Sequence, residues 1–289
     1  MSEGGIERQA EKKRQDAVLY SRHSSAAYGE EAKILASDNP QSAVNPEDQI
    51  HPDLTEAGIE FARTEAEKFF GNLDRQHDEL FFVSSNQARA LETAAIYRDV
   101  AKQKGFDVIA PDHVRGGFAQ EIGGGDVRVV RNLSLKSENT LVYSVFYPDK
   151  NMAPINWEAA SQQDPQIRDK WERAHKIIQE HDFGSWGANM FHHAPAVKQI
   201  FPEVNTAEDL YEGQFKNLLR LAEFGLNKAQ KSDRPKNLKI IAFGHENYVG
   251  YALDKYFQEH DIKNCETISF QQDETGAMTL ERRGQRAVL

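Results

Sequence analysis

The feature that most constrains the fold is a series of short apolar runs that alternate with helix-like segments. The run ELFFVSSN (79–86) is apolar and bounded by small polar residues, as expected of a central strand buried on both faces of a parallel sheet. AVLYS (17–21) precedes it, DVIAP (107–111) follows it, and a helical pattern lies in each interval. This order of strand, helix, strand, helix and strand predicts a doubly wound α/β sheet.

The first predicted helix has clear end signals. In DLTEAGIEFARTEAEKFFGNL (53–73), Asp53 or Thr55 can cap the helix, apolar residues recur at helical spacing, and Gly71 is a plausible stop. The alternation returns late in the chain. NLKIIAFGHENYVGYALDKYF (237–257) predicts a strand, a sharp turn and a helix, and ETISFQQD with GAMTLERR predicts a closing hairpin.

These patterns predict one domain, residues 17–289, preceded by a polar arm at 1–16. The segment from about 126 to 236 breaks the alternation, with helical stretches near 165–181 and 206–231, and we interpret it as a mainly helical insertion. The expected fold is therefore a three-layer, doubly wound, mostly parallel sheet with helices on both faces.

Composition excludes several classes of partner. The net charge is −10, and no dense basic stripe offsets it, so we expect no nucleic-acid partner. No apolar run approaches the ~20 residues that cross a bilayer, and we expect no membrane partner. The single cysteine, Cys265, cannot form an internal disulfide and is compatible with a cytoplasmic location. The sequence leaves the oligomeric state open.

Polar and charged residues follow three of the predicted strands. Parallel strands place such residues at one edge of a sheet, where ligands of open α/β folds bind. The residues concerned are Arg22 and His23, then Ser84, Ser85 and Arg89, and finally His245, Glu246 and Asn247. Guanidinium groups suit phosphate oxygens, and imidazole is a competent nucleophile at neutral pH. The pattern therefore predicts a phosphate site in which one histidine performs chemistry without a metal ion.

Four motifs in order resemble the histidine phosphatase superfamily, also called phosphoglycerate mutase-like. They are LYSRHSS (19–25), LTEAG (54–58), SSNQARALETA (84–94) and IIAFGH (240–245). The resemblance covers about 17–125 and 238–283 and leaves the insertion unexplained.

The resemblance implies roles for individual residues. His23 corresponds to the phosphorylated nucleophile, and Arg22, Arg89 and His245 correspond to the rest of the phosphate pocket. Their neighbours Ser24 and Asn247 are further candidates for phosphate binding.

The family also uses a carboxylic acid that protonates the leaving oxygen. The mutase-like branch places it in a setting similar to EIGGGD (121–126), which favours Glu121. The acid phosphatase branch places it directly after the second histidine, where this chain has Glu246. Asp126 is a third candidate, and no cofactor is expected.

Departures from the family pattern favour hydrolysis over mutase activity. Ser24 replaces the usual glycine, and the chain reads RHSSAAY (22–28) where mutases usually continue Arg-His-Gly-Glu-Ser-x-x-Asn. We therefore expect a metal-independent phosphatase acting on a small phosphorylated substrate, with specificity set by 126–236. The alternatives are phosphoglycerate mutase-type transfer and a silent pseudoenzyme that binds a phosphorylated ligand.

Two other patterns favour structural interpretations. His192 and His193, with His175 and His181, lack metal-ligand spacing, so we interpret them as lid or loop histidines and predict no metal site. The run Gly123-Gly124-Gly125 matches neither a Walker nor a Rossmann pattern, which argues against a nucleotide loop.

Overall fold

The computed structural model describes residues 14–26, 54–85, 88–109, 126–130, 140–146, 165–180, 186–200, 202, 207–231 and 235–289. The strands are β1 Ala17–Arg22, β2 Asp78–Ser85, β3 Asp107–Val108, β4 Asp126–Val130, β5 Thr140–Phe146, β6 Asn237–Gly244, β7 Thr267–Gln272, β8 Met278–Arg282 and β9 Gln285–Val288. The α-helices are α1 Glu56–Gly71, α2 Ala88–Gln103, α3 Pro165–Gln179, α4 Trp186–His192, α5 Ala194–Ile200, α6 Ala207–Gln230 and α7 Gly250–Phe257. A short 3-10 helix, Glu246–Tyr248, lies between β6 and α7.

All described strands belong to one sheet, in the order β4-β5-β2-β6-β1-β7-β8-β9, with β3 also paired to β2. The α/β class predicted from the sequence is therefore confirmed. The prediction of a mostly parallel sheet is wrong, because four described pairs are parallel and four are antiparallel. The parallel pairs form the centre, and antiparallel strands extend the sheet on both sides.

The segment interpreted as a mainly helical insertion is partly sheet. Its first residues form β4 and β5, and β5 pairs in parallel with the end of β2. The helices α3 to α6 follow β5 in the chain. The run TLVYSVF (140–146) is as apolar as the run that forms β1, so the sequence contained a signal for β5. The β4 segment DVRVV (126–130) is shorter and is interrupted by Arg128. The predicted strand at 107–111 is shorter, since β3 spans only Asp107–Val108.

The first helix forms as its end signals predict. Thr55 is the N-cap, and its hydroxyl accepts a hydrogen bond from the Gly58 amide, which satisfies one of the amides left unpaired at a helix start. The helix ends at Gly71. Its buried face consists of Gly58, Ile59, Ala62, Ala66 and Phe70. These positions recur every three or four residues, so one stripe of the helix packs against the sheet.

Side chains of the central strands alternate between two apolar clusters. Phe81 and Val83 join a cluster that includes residues of α6 and α7. Leu80 and Phe82 join a second cluster with residues of α1 and α2. Strand side chains point alternately to opposite faces, which explains the division. The continuous apolar sequence of β2 thus reflects burial on both faces.

The register of the parallel strands sets the position of the polar residues that follow them. Arg22 pairs with Gly244, and Ser84 pairs with Phe243. The ends of β1, β6 and β2 therefore lie at one level of the sheet. The predicted closing hairpin is also present as β7 and β8, which pair antiparallel.

None of the described helices combines the length and the apolar character that spanning a membrane requires.

Gly58 gives a test of how α1 supports the loop after β1. A Cβ added there would lie 2.1 Å from the Ser25 carbonyl oxygen, whereas one added at Gly71 would meet nothing within 4 Å. We expect Gly58→Ala to lower the free energy of unfolding by about 1–3 kcal/mol, since backbone must move. Gly71→Ala should leave it unchanged or raise it by up to ~1 kcal/mol. Urea unfolding followed by circular dichroism measures both, and equal unfolding midpoints would contradict the expectation.

Candidate active site

The two histidines predicted to form the site lie together. The ring centroids of His23 and His245 are 5.1 Å apart, with the ring planes inclined at 63°. Both residues are buried, with exposed fractions of 4% and 9%. Each follows one of two adjacent parallel strands, and the His23 amide donates to the Gly244 carbonyl at 3.0 Å. The spatial convergence expected from the sequence is therefore observed for these two side chains.

Hydrogen bonding fixes the tautomer of His23. Its Nδ1 lies 2.6 Å from the Ser24 carbonyl oxygen, which can only accept, so Nδ1 carries the proton. The neutral ring then has its lone pair on Nε2. Arg89 Nε donates to that atom at 3.1 Å. His23 Nε2 is therefore an oriented, unprotonated nitrogen beside a guanidinium group.

The surroundings keep the His23 ring neutral. Burial is the largest cause, and the charges of Arg89 and then Arg22 add to it, while the bond to Ser24 opposes them. Together they lower the pKa of His23 from 6.5 to about 3. A neutral imidazole can act as a nucleophile at neutral pH, whereas an imidazolium cannot.

Arg22 reaches a different set of partners from Arg89. Its Nη1 donates to the Ile262 carbonyl at 2.7 Å and lies 3.0 Å from Glu246 Oε2. Asp261 Oδ1 is 3.6 Å from the same nitrogen. Two carboxylates thus offset the charge of Arg22, and the guanidinium is held at the border of the site.

Of the three candidate proton donors, only Glu246 has a described side chain. Glu121 lies outside the described residues, and only the backbone of the third candidate, Asp126, is described, at the start of β4. Glu246 is 8% exposed and begins the 3-10 helix directly after His245. Its Oε2 is engaged by Arg22, and its Oε1 lies 4.0 Å from His260 Nε2.

His245 is positioned by strand residues on either side. Ser85 Oγ lies 2.9 Å from His245 Nε2, and Tyr20 donates its hydroxyl proton to the His245 carbonyl at 2.8 Å. Gly244 is required by the same tyrosine, because a Cβ there would lie 2.2 Å from the Tyr20 hydroxyl oxygen. Gly244 therefore allows the side chain of Tyr20 to approach the backbone before His245 closely.

The two remaining predicted binding residues have different settings. Ser24 is fully buried; its hydroxyl donates to the Gly58 carbonyl at 2.6 Å, and its amide donates to Thr93 Oγ1 at 3.0 Å. These bonds tie the loop after β1 to α1 and α2. Asn247 is half-buried, and within the described residues its Oδ1 has no hydrogen-bond partner. Asn247 is thus the better placed of the two to bind a ligand.

Of the other residues that complete the site, Ser85 was expected at this edge of the sheet from the sequence, and three were not. Ser85 stands in the quoted SSNQARALETA motif, so the sequence contained a signal for it. The sequence contained no signal for Tyr20, Asp261 or His260. These residues approach the site through the packing of β1 and of the segment after α7.

Neither a protein-family model nor a curated protein sequence matches the chain. Solved structures similar to it include a phosphoglycerate mutase from Bacillus anthracis, with a TM-score of 0.39, 11% identity and coverage of 96% of this chain and 93% of that one. A second is a putative alpha-ribazole-5'-P phosphatase from Escherichia coli, with a TM-score of 0.39, 13% identity and coverage of 95% of this chain and 98% of that one. A third is a phosphoserine phosphatase variant from Entamoeba histolytica, with a TM-score of 0.35, 12% identity and coverage of 94% of each chain.

These structures are histidine phosphatase superfamily members, the family that the motifs of this chain resemble. Because their TM-scores are below 0.5, these similarities carry no argument about the family or the activity of this chain.

The lowered pKa of His23 has a consequence for stability. Between about pH 6.5, where the unfolded ring titrates, and about pH 3, the unfolded state binds more protons than the folded state. The free energy of unfolding should therefore fall as pH decreases through this window. Between pH 7 and pH 5, we expect the free energy of unfolding of His23→Asn to fall by roughly 1–2 kcal/mol less than that of wild type. Urea unfolding at both pH values measures it, and identical losses in the two proteins would contradict the neutral, buried ring.

Proposed function

We propose that the protein is a phosphomonoester hydrolase that transfers the phosphoryl group of a small substrate to His23 and then to water. The observation that carries the proposal is the state of the His23 ring. Its Nδ1–H is held by the Ser24 carbonyl, and its Nε2 lone pair lies beside Arg89, with the His245 ring 5.1 Å away. Such an arrangement provides a nucleophile and cationic donors in one pocket.

The first step would form a bond from His23 Nε2 to phosphorus and break the bond from phosphorus to the leaving oxygen. Arg89 Nε, which donates to Nε2 at 3.1 Å without substrate, would turn to a phosphate oxygen. His245, supported by Ser85, would donate to another oxygen as charge shifts in the transition state. The proposed chemistry uses no metal ion because guanidinium groups supply the positive charge.

A carboxylic acid would protonate the leaving alcohol, and the resulting carboxylate would take a proton from the water that attacks phosphohistidine. Glu121 is the preferred donor on the basis of the family resemblance. Glu246 is the alternative and is adjacent to His245, but its Oε2 lies 3.0 Å from Arg22. A substrate phosphate that attracted Arg22 would release this carboxylate for proton transfer.

The proposal includes features carried over from the sequence. These are a three-layer, doubly wound arrangement of the sheet and helices, a single domain from 17 to 289, a small phosphorylated substrate and a cytoplasmic location. The two apolar clusters that contain helices of different chain segments support the layered arrangement.

The enzymatic proposal is tested by removing the nucleophile. With p-nitrophenyl phosphate, with or without EDTA, we expect His23→Ala to lose at least ~100-fold in kcat, because no other group replaces the covalent step. The matched control is His77→Ala, since His77 is exposed, and it should retain wild-type activity. Rapid quenching with a labelled substrate should trap phosphohistidine in wild type and in His77→Ala, and none in His23→Ala.

Equal turnover by wild type and His23→Ala would contradict the nucleophilic role. No turnover by wild type on a panel of phosphoesters, with phosphate binding that survives His23→Ala, would instead favour the silent phospho-ligand-binding protein. Transfer between 3- and 2-phosphoglycerate in place of hydrolysis would favour the mutase alternative.

The contact of Arg89 Nε with His23 gives a second test. Lysine cannot reproduce the planar fork of arginine, so Arg89→Lys should lower kcat/KM by roughly 10- to 100-fold, as expected for loss of a charge-assisted hydrogen bond. Arg75→Lys is the control, because Arg75 is exposed and, within the described part of the chain, donates to the Lys104 carbonyl just after α2. Equal kcat/KM values for the two variants would contradict a phosphate-binding role of Arg89.

A further inference from the structure

A second group of ligand-type side chains lies beside the candidate active site. The ligand atoms of His192, Asp254 and His260 all lie within 4.8 Å of one another. His192 ends α4, Asp254 belongs to α7, and His260 follows α7. His192 Nε2 is 3.8 Å from Asp254 Oδ1. The fold thus brings together two imidazoles and a carboxylate from separate elements.

His260 provides an independent observation. Its exposed fraction is 5%, and neither ring nitrogen has a hydrogen-bond partner within the described residues. A buried polar group without a partner is costly, and native structures usually provide one. A metal ion bound to one ring nitrogen would give that nitrogen a partner, and a neutral imidazole is the required form.

The position of His260 is fixed by close packing. A Cβ on Gly250 would lie 2.6 Å from its Nε2 and Cε1 atoms, so only glycine at that position admits the ring. The ring of Phe191 packs against it at a centroid distance of 4.5 Å, and that of Tyr211 at 5.8 Å. Asp254 lies four residues after Gly250, on the same face of α7. The ring of His260 is therefore held in place, beside the face of α7 that carries Asp254.

From these observations we propose that His192, Asp254 and His260 bind a divalent transition-metal ion of the zinc class. Two imidazoles and a carboxylate are typical ligands of zinc, whereas magnesium and calcium prefer oxygen ligands alone. A zinc ion with three protein ligands usually holds water in the fourth position. Glu246 Oε1, which lies 4.0 Å from His260 Nε2, is a neighbour of the cluster and is not one of its three members.

The distances allow a metal site after a small adjustment. Ligands at about 2.0–2.2 Å in a tetrahedron lie roughly 3.3–3.5 Å from one another. The observed spacing is wider, so the ligands must close on the ion. The side chains of His192 and Asp254 are 30% and 36% exposed, which leaves them room to turn. His260 is held by Phe191 and Gly250 and would not need to move.

The charges of the site favour a cation. Asp254 and Glu246 each carry a carboxylate. Arg22 contacts Oε2 of Glu246, whereas Oε1 of the same carboxylate faces His260. The ion would join α4 to the segment around α7. It would also lie next to the carboxylate that contacts the Arg22 guanidinium.

The test is direct metal binding by the full chain without a histidine tag, after chelator treatment and removal of the chelator. Zinc is titrated calorimetrically, with magnesium as the comparison, into wild type, His192→Ala, Asp254→Asn and the control His193→Ala. We expect one zinc per chain in wild type and in the control, and an affinity at least ~10-fold lower in the other two variants. Cobalt absorption should show a tetrahedral site in wild type.

Circular dichroism without metal checks that the variants are folded. No stoichiometric zinc binding by wild type, or equal affinity in wild type, His192→Ala and Asp254→Asn, would overturn the proposal. An equal loss in His193→Ala would also overturn it, because His193 is not part of the cluster. The measurement uses no phosphoester, so its outcome is independent of whether the protein is a phosphatase.

Discussion

The parallel pairing of β6 with β1 on one side and β2 on the other determines where the groups that directly follow these strands lie. The register aligns Arg22 with Gly244 and Ser84 with Phe243, so the residues after each strand emerge at one level. Side chains of the same strands fill the two apolar clusters. A one-residue shift would turn those side chains to the wrong face, so core packing and site geometry are selected together.

Burial and charge act on His23 in the same direction. Burial contributes most to its lowered pKa, and the neighbouring guanidinium groups add to it. Arginine keeps its charge in proteins, so a neutral nucleophile can lie among permanent cations. Glu246 and Asp261 partly neutralise the charge of Arg22. A phosphate dianion would compete with these carboxylates, which connects substrate binding to the state of Glu246.

Glu246 also connects the two proposed sites. One of its oxygens contacts Arg22, and the other faces His260, which belongs to the proposed metal cluster. The interpretation of His192 as a lid or loop histidine followed from its spacing to His193 and His175. Metal ligands that come from different elements leave no such spacing, because the distances between them are set by packing. Gly250, which admits the His260 ring, is an ordinary helix residue when considered by sequence alone.

The sequence by itself determined the central strands, the capped and terminated helix α1, the residues His23 and His245 directly after strands, and Arg89 at the start of α2. Each of these depends on local pattern, namely continuous apolar runs, a capping threonine and polar residues directly after a strand. Only the tertiary structure decided that β5 pairs with the end of β2, that Ser24 binds the scaffold, and that Arg22 pairs with Glu246. These features depend on contacts between segments far apart in the chain, and hydrophobic periodicity does not encode which distant side chains meet.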